Sequence, residues 1–419
     1  MNIKIKFICF ALFFSHVSLF SQTSSSYSRI GIGDISYSYS ANELGIGQLG
    51  ISIAEPGFIS INNPATWVKL NSTRFETSLS YSGLYLSDLS NRDFNGKAQF
   101  NGFAFAFPVS VEKGISIGFG ITPYSKINYQ VVQNNSFPGI SDGQYTLTYK
   151  GQGGLSKLFI GTSYNLPFNL SLGATFDYYF GSLNYTAVSN FTSSNNISTQ
   201  YNTAYEPSGL GTTVGLITPD ISTLFNSKSI SNFKLGLAVN YIKGLSTDTL
   251  YTSYSSARSS GTDTIGMGTT IMKIPVRISA GLSFTLSQRY LLTLDAASQA
   301  WSTYTFNNTK VPDLRNSLLL SAGFEFRPKQ ELGASVWEQI IWRAGLSYEQ
   351  TQYEINNVGI NQYSVSGGFS FPLSYANTID FAIQYGIRGT TESNLVKENF
   401  IKINFGLSLG ELWFLRRNQ

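Results

Sequence analysis

A chain of 419 residues with 12% charged and 15% aromatic residues is poorly suited to a soluble globule, which typically carries about 25% charge. Its 39 glycines, 25 tyrosines and 31 phenylalanines instead suit strands whose side chains alternate between lipid and lumen. The net charge of +4 is small and the basic residues are scattered, which gives no reason to expect a nucleic-acid partner.

In chain order, the first segment reads MNIKIKFICFALFFSHVSLFSQ. Lys4 and Lys6 precede an apolar run from Phe7 to about Phe20, and the small Ser21 closes it. This is the layout of a cleaved secretory signal peptide over residues 1–21. The run is short for a membrane-spanning helix, and Cys9 lies too early for lipid attachment. Cleavage removes the only cysteine, Cys9, and the only histidine, His16. The mature chain then cannot build a disulfide, a thiol nucleophile, a Ser-His-Asp triad or a His/Cys zinc site. We therefore expect no enzyme, no metal and no cofactor. Paired carboxylates remain formally available, but nothing else in the sequence points to them.

Residues 22–73 lack sustained alternation and are rich in Ser, Gly, Asn and Tyr. We expect this segment to lie outside the barrel wall and to fold into the lumen as a plug. Within it, Gly45-Ile46-Gly47-Gln48-Leu49-Gly50 matches a dinucleotide fingerprint by letter, but no strand–helix unit surrounds it. Flexible plug backbone is the better account.

From residue 74 to 414 alternation dominates. Phe233, Leu235, Leu237, Val239 and Tyr241 oppose Lys234, Gly236, Ala238 and Asn240. Ile274, Val276, Ile278, Ala280, Leu282 and Phe284 oppose Arg277, Ser279, Gly281 and Ser283. The same period of two recurs over 318–327 and 379–388. Short turns at Glu112–Gly114, Leu166–Asn169 and Ser287–Arg289 alternate with long polar loops at 131–142, 187–199, 244–270 and 305–313. That asymmetry is the one expected of short periplasmic turns and longer outer loops.

The reading is all-β: a transmembrane antiparallel barrel of about 14 strands, the count being weakest over 200–230. The last strand, FIKINFGLSLGELWF, ends in Trp413-Phe414 where an interfacial girdle would lie. Residues 415–419 form a periplasmic tail. The chain is expected in the outer membrane, as a monomer among its lipids.

Candidate lumen-facing charges are Asp177, Lys234, Arg277, Glu325, Arg327, Arg343, Glu349, Asp380, Arg388 and Lys402. Pairing with one another and with the plug is the leading account, a substrate path the second. Gly151, Gly153 and Gly154 interrupt a long strand, which marks a bend or, more sharply, a gap in the wall.

Asn63-Pro64-Ala65, following GQLGISIAEPGFISI, resembles the plug motif of the long-chain fatty-acid transporter (FadL-like) family. Tyr27–Asp34, GQGGLSKLFIG and ELWFLRR are also similar to divergent members, so the resemblance spans nearly the whole mature chain. It implies fourteen strands, an N-terminal plug or hatch, passage of hydrophobic compounds, and a strand kink opening a lateral exit. Asn63, Pro64 and Ala65 carry over as plug structure, and the kink is assigned here to Gly151, Gly153 and Gly154.

The expected function is a channel for small hydrophobic molecules such as long-chain fatty acids, gated by the plug. The alternative is a structural or secretion-associated barrel that binds a protein partner, as one branch of the family does in type IX secretion. A blocked lumen without an apolar pocket would favour the alternative.

Overall fold

The computed structural model describes residues 25–88, 92–136, 144–191, 197–225, 229–255, 261–328, 334–374 and 376–411. The expected signal peptide, Cys9, His16, Trp413-Phe414 and the tail lie outside them.

A two-residue strand, β1 (Asp34–Ile35), lies in the N-terminal segment. The wall begins with β2 (Thr73–Ser87) and β3 (Arg92–Ser110). Its third position is shared by β4 (Ile115–Pro123) and β5 (Ser125–Ser136), interrupted at Tyr124. Then come β6 (Gln144–Asn165), β7 (Ser171–Phe191) and β8 (Thr199–Ile217). β9 (Ile230–Ile242) and β10 (Leu245–Ser255) share the seventh position. β11 (Thr262–Lys273) and β12 (Arg277–Leu286) share the eighth. β13 (Tyr290–Gln299) leads through a small hairpin, β14 (Thr305–Phe306) and β15 (Thr309–Lys310), to β16 (Ser317–Phe326). β17 (Ile341–Ile355), β18 (Val358–Pro372), β19 (Thr378–Arg388) and β20 (Lys397–Glu411) complete fourteen positions. β20 pairs back onto β2 along the whole of Thr73–Ser87, so the antiparallel sheet is a closed barrel.

The side-chain polarity is the reverse of a soluble globule's. On β9, Leu235, Leu237 and Tyr241 are exposed on the outer face, while Ala238 and Asn240 are buried. On β16, Leu320 and Phe324 point out, and Ser321 and Glu325 point in. An outer band of this kind is stable only against hydrocarbon. Among the described residues no helix is long and apolar enough to cross a membrane; the crossing is made by strands.

Three expectations need correction. Residues 244–270 are not an open loop, because β10 and β11 pair from Leu245↔Met272 outward and extend the wall beyond the bilayer band. β5 likewise runs on to Ser136 and β7 to Phe191, so much of 131–142 and 187–199 is sheet. Ile274 does not join the outer face of its neighbours. The chain breaks between β11 and β12, and Ile274 turns into an aromatic-rich cluster with Trp301 and Tyr304. Polar Thr, Ser and Tyr outside the bilayer can pair as strands without an apolar face, so hydropathy alone reads them as loop.

Inside the wall lies the N-terminal segment, buried without exception from Tyr37 to Ala54. A short helix, α1 (Ala41–Gly45), is capped by Ser40, whose hydroxyl accepts from the Glu43 amide at 3.2 Å. It packs against β17, β18, β19 and β20. A 3-10 turn, Pro64–Lys69, packs against β4, β6, β7 and β8 on the opposite side. The Gly45–Gly50 stretch is therefore not loose filler: its residues are all buried, and Gly47 lies against the carbonyls of Ala322 and Leu346.

Asn63 fixes the second contact. Its Oδ1 accepts from the Ala65 amide at 3.1 Å, and its Nδ2 donates to the Ile51 carbonyl at 2.8 Å. Gly215 of β8 makes room for it, since a Cβ there would sit 1.8 Å from Asn63 Oδ1. We expect Gly215→Ala to displace Asn63 and expose residues 50–70 to limited proteolysis while the barrel persists on unheated gels. Unchanged protection would contradict this packing.

Candidate functional site

The hydrogen bonding of the wall is interrupted between β3 and β5. β3 pairs with β4 only from Phe103↔Ile121 to Ser110↔Ile115. Beyond that, the outer half of β3 (Arg92–Gly102) keeps its pairing to β2 alone among the described residues. β5 turns away from it and pairs with β6 on one side. On its other side it pairs with β1, through Asp34↔Lys126 and Ile35↔Ser125. The Ser36 amide donates to the Tyr124 carbonyl at 2.9 Å, and the Asn128 amide donates to Ser28 Oγ at 3.2 Å. The N-terminal segment thus supplies to β5 the partner that β3 withholds.

Sequence explains the break. Pro123 has no N–H and ends β4. Gly153 and Gly154 of β6 adopt φ of +123° and +149°, and a Cβ on Gly154 would lie 2.2 Å from the Ser125 carbonyl. Of the three assigned glycines, Gly153 and Gly154 lie opposite the interruption. Gly151 remains in register with Tyr129, whose ring covers it. The interruption itself falls on the neighbouring strand, at Tyr124. That residue is buried, with its ring edge-on to Tyr179 at 5.1 Å and the Arg277 guanidinium 5.4 Å above it. Arg277 also lies over Tyr37 of the N-terminal segment at 5.7 Å. Gly33, at φ +83°, admits β1 to this edge, because a Cβ there would be 2.1 Å from the Lys126 carbonyl.

The ten candidate lumen charges all turn inward, and most reach the N-terminal segment or one another. Arg388 holds Asp34 at 3.0 Å and Glu398 at 2.6 Å. Glu398 in turn accepts from Ser25 Oγ at 2.9 Å. Glu325 binds Arg343 at 2.6 Å and also Arg327, which holds Glu55 at 2.6 Å. Lys234 donates to the Ala54 carbonyl at 3.2 Å. Asp177 accepts from Thr175 and Thr213, both at 2.7 Å, with Lys157 at 4.0 Å. Asp380 accepts from Ser370 and Thr378 and lies 3.5 Å from Asn42 Nδ2. Glu349 accepts from Gln362 at 3.2 Å, and it is not brought to Glu325. Asp177, Glu349 and Lys402 reach neither the N-terminal segment nor another of the ten.

Several partners escape a sequence reading. Asp295 accepts from the Gly50 and Ile51 amides at 3.0 Å each. Glu76 accepts from Tyr39 Oη at 2.8 Å. Extending inward parity along each strand would have found Glu398, two turns of the pleat from Lys402, and Lys97 between Asn95 and Gln99. No pattern marks Asp34, whose contact is made across the lumen.

Behind the break lies a cavity of about 190 Å³. Asp34, Tyr37, Leu84, Lys97, Lys126 and Lys402 are among its lining residues. A second hollow, of about 560 Å³, lies on the lipid side among Leu320, Leu346, Val365 and Tyr385. No group of three His, Cys, Asp or Glu among the described residues could hold a metal ion.

Comparison with known proteins agrees on the architecture. Among solved structures, the CymD monoaromatic hydrocarbon channel matches at 16% identity with a TM-score of 0.58, over 91% of this chain and 99% of that one. The Ralstonia pickettii toluene transporter TbuX matches at 13% identity and 0.58, over 90% and 99%. A Pseudomonas aeruginosa FadL homologue matches at 13% identity and 0.58, over 88% and 97%. The barrel has the fold of these FadL-like outer-membrane channels. No curated protein matches. A family model described as BamG matches residues 1–419, and the chain accordingly belongs to the BamG family.

Proposed function

We propose that this protein is an outer-membrane channel through which small hydrophobic molecules pass sideways into the bilayer, with residues 22–73 acting as the plug. The observation that carries the reading is the unpaired edge between β3 and β5 with a cavity directly behind it. In hydrocarbon an open strand edge is costly, so an edge capped by two residues of a separate segment is a natural gate. The proteins of like fold are named for monoaromatic hydrocarbon and toluene transport.

β1 is the moving part in this account. Ile35 and Ser125 face each other in an antiparallel pair, where Cα separations of about 4.5–5.5 Å fit a disulfide. Cys9 is the chain's one cysteine and lies in the expected signal peptide. We expect Ile35→Cys/Ser125→Cys to abolish toluene uptake into proteoliposomes when oxidised and to recover it on reduction. Equal uptake in both states would remove β1 as the gate.

The Arg388 cluster latches the plug. Removing the guanidinium leaves Asp34 and Glu398 uncompensated, and losing one partner of a buried pair costs about 3–5 kcal/mol. Arg388→Gln should therefore raise single-channel conductance in planar bilayers and speed proteolysis between residues 25 and 40. A variant as silent as the parent would show that the latch lies elsewhere.

One observation favours the second reading, a barrel serving a protein partner: the N-terminal segment is buried throughout from Tyr37 to Ala54. Absence of uptake by the full chain, reduced or not, together with recovery of one defined outer-membrane protein in cross-linking, would decide for it.

A further inference from the structure

Three lysines come together without a partner at the break between β3 and β5. Lys97 of β3, Lys126 of β5 and Lys402 of β20 line the same cavity. Lys126 feels the positive charge of both others. None of the three ammonium groups has an ion pair or a hydrogen bond among the described residues. Desolvating even one unpaired ammonium is unfavourable, and clustering three adds repulsion. Arg388 and Arg327, by contrast, are each matched by two carboxylates.

We propose that these three lysines hold the phosphate head of an anionic membrane lipid whose acyl chains lie in the bilayer outside the β3–β5 break. Charge selects the head. Arg388 already ties up Asp34, so three ammoniums face one remaining lining carboxylate, Glu349. Three minus one leaves two positive charges, the complement of a phosphomonoester, which carries about −1.5 to −2 at neutral pH. Place selects the lipid. Lys97 and Lys126 sit on the two strands that frame the break, on the stretch away from the short turns, which is the outer-leaflet level. The cavity, of about 190 Å³, has space for a head but not for two acyl chains, which must leave through the break. Leu84 and Phe400, also in the lining, meet the first methylenes.

The site rests on reading the break as an opening to the bilayer, but its test is binding, not uptake. The purified full-length protein in detergent is titrated with dioleoyl phosphatidate and examined by native mass spectrometry. Dioleoylglycerol, oleate and inorganic phosphate serve as the other arms. We expect phosphatidate to bind at least tenfold more tightly than each of the other three. The triple variant Lys97→Gln/Lys126→Gln/Lys402→Gln should lose that preference by a similar factor.

Because the triple variant also relieves repulsion, its gel-shift unfolding temperature without lipid should equal or exceed the parent's. Lys97→Gln alone, at the least buried position, is the check against misfolding and should weaken phosphatidate several-fold. Oleate binding as tightly as phosphatidate would overturn the phosphate assignment. Inorganic phosphate doing so would overturn the lipid, and undiminished binding by the triple variant would overturn the site. Phosphatidate binding without toluene uptake would leave this site standing and remove the channel instead.

Discussion

Every backbone amide and carbonyl in a bilayer must find a partner within the protein, and this barrel depends on how it meets that demand at its third wall position. Along most of the wall the demand is met by neighbouring strands or, at closure, by β2 on β20. At Tyr124 the wall strand turns and abandons β3, leaving β5 with one edge free. The structure answers with a partner drawn from the lumen, β1, admitted by the absence of a side chain at Gly33. A wall sealed by a segment that is not itself part of the wall can be unsealed without dismantling the barrel.

The rest of the lumen follows from that arrangement. A segment that seals a gap must be held, yet not so firmly that it cannot leave. Part of the hold is electrostatic and made of separate clusters: Arg388 with Asp34 and Glu398, Arg327 with Glu55, and Asp295 with two amides of the segment. Buried pairs are costly to break singly but gain little over apolar packing, so they specify position more than they add stability. Deeper contacts are apolar, as where Tyr39, Ile59 and Trp67 pack with Phe159. Both ends combine the two: near β1, Tyr27, Ile32 and Tyr37 are packed in apolar clusters beside the Arg388–Asp34 pair.

Much of the barrel was legible in the sequence because period-two alternation is a direct imprint of a wall with lipid on one side. Leu235, Leu237 and Tyr241 against Lys234 and Asn240 read correctly from letters alone. The sheet of β10 and β11 was missed: β10 is rich in Thr, Ser and Tyr, and the alternation of Ile265, Met267 and Ile271 against Gly266 and Gly268 on β11 is short. The inward direction of the charges followed from parity, whereas their partners did not. Asp34 and Arg388, or Asp295 and Ile51, meet only because the chain folds back through its own barrel, and separations of that length leave no local pattern. The interruption falls at Tyr124, on the strand beside the glycines of β6.

The account turns on whether β5 is released from β1 when an apolar solute is present. Amide hydrogen exchange of the protein in lipid nanodiscs, with and without saturating toluene, measures this directly. The prediction is faster exchange confined to residues 34–36 and 125–128, with the β6–β7 amides staying protected in both conditions. Unchanged exchange at those residues, in a preparation that takes up toluene, would show that solute crosses by another route and would contradict a gate built from β1.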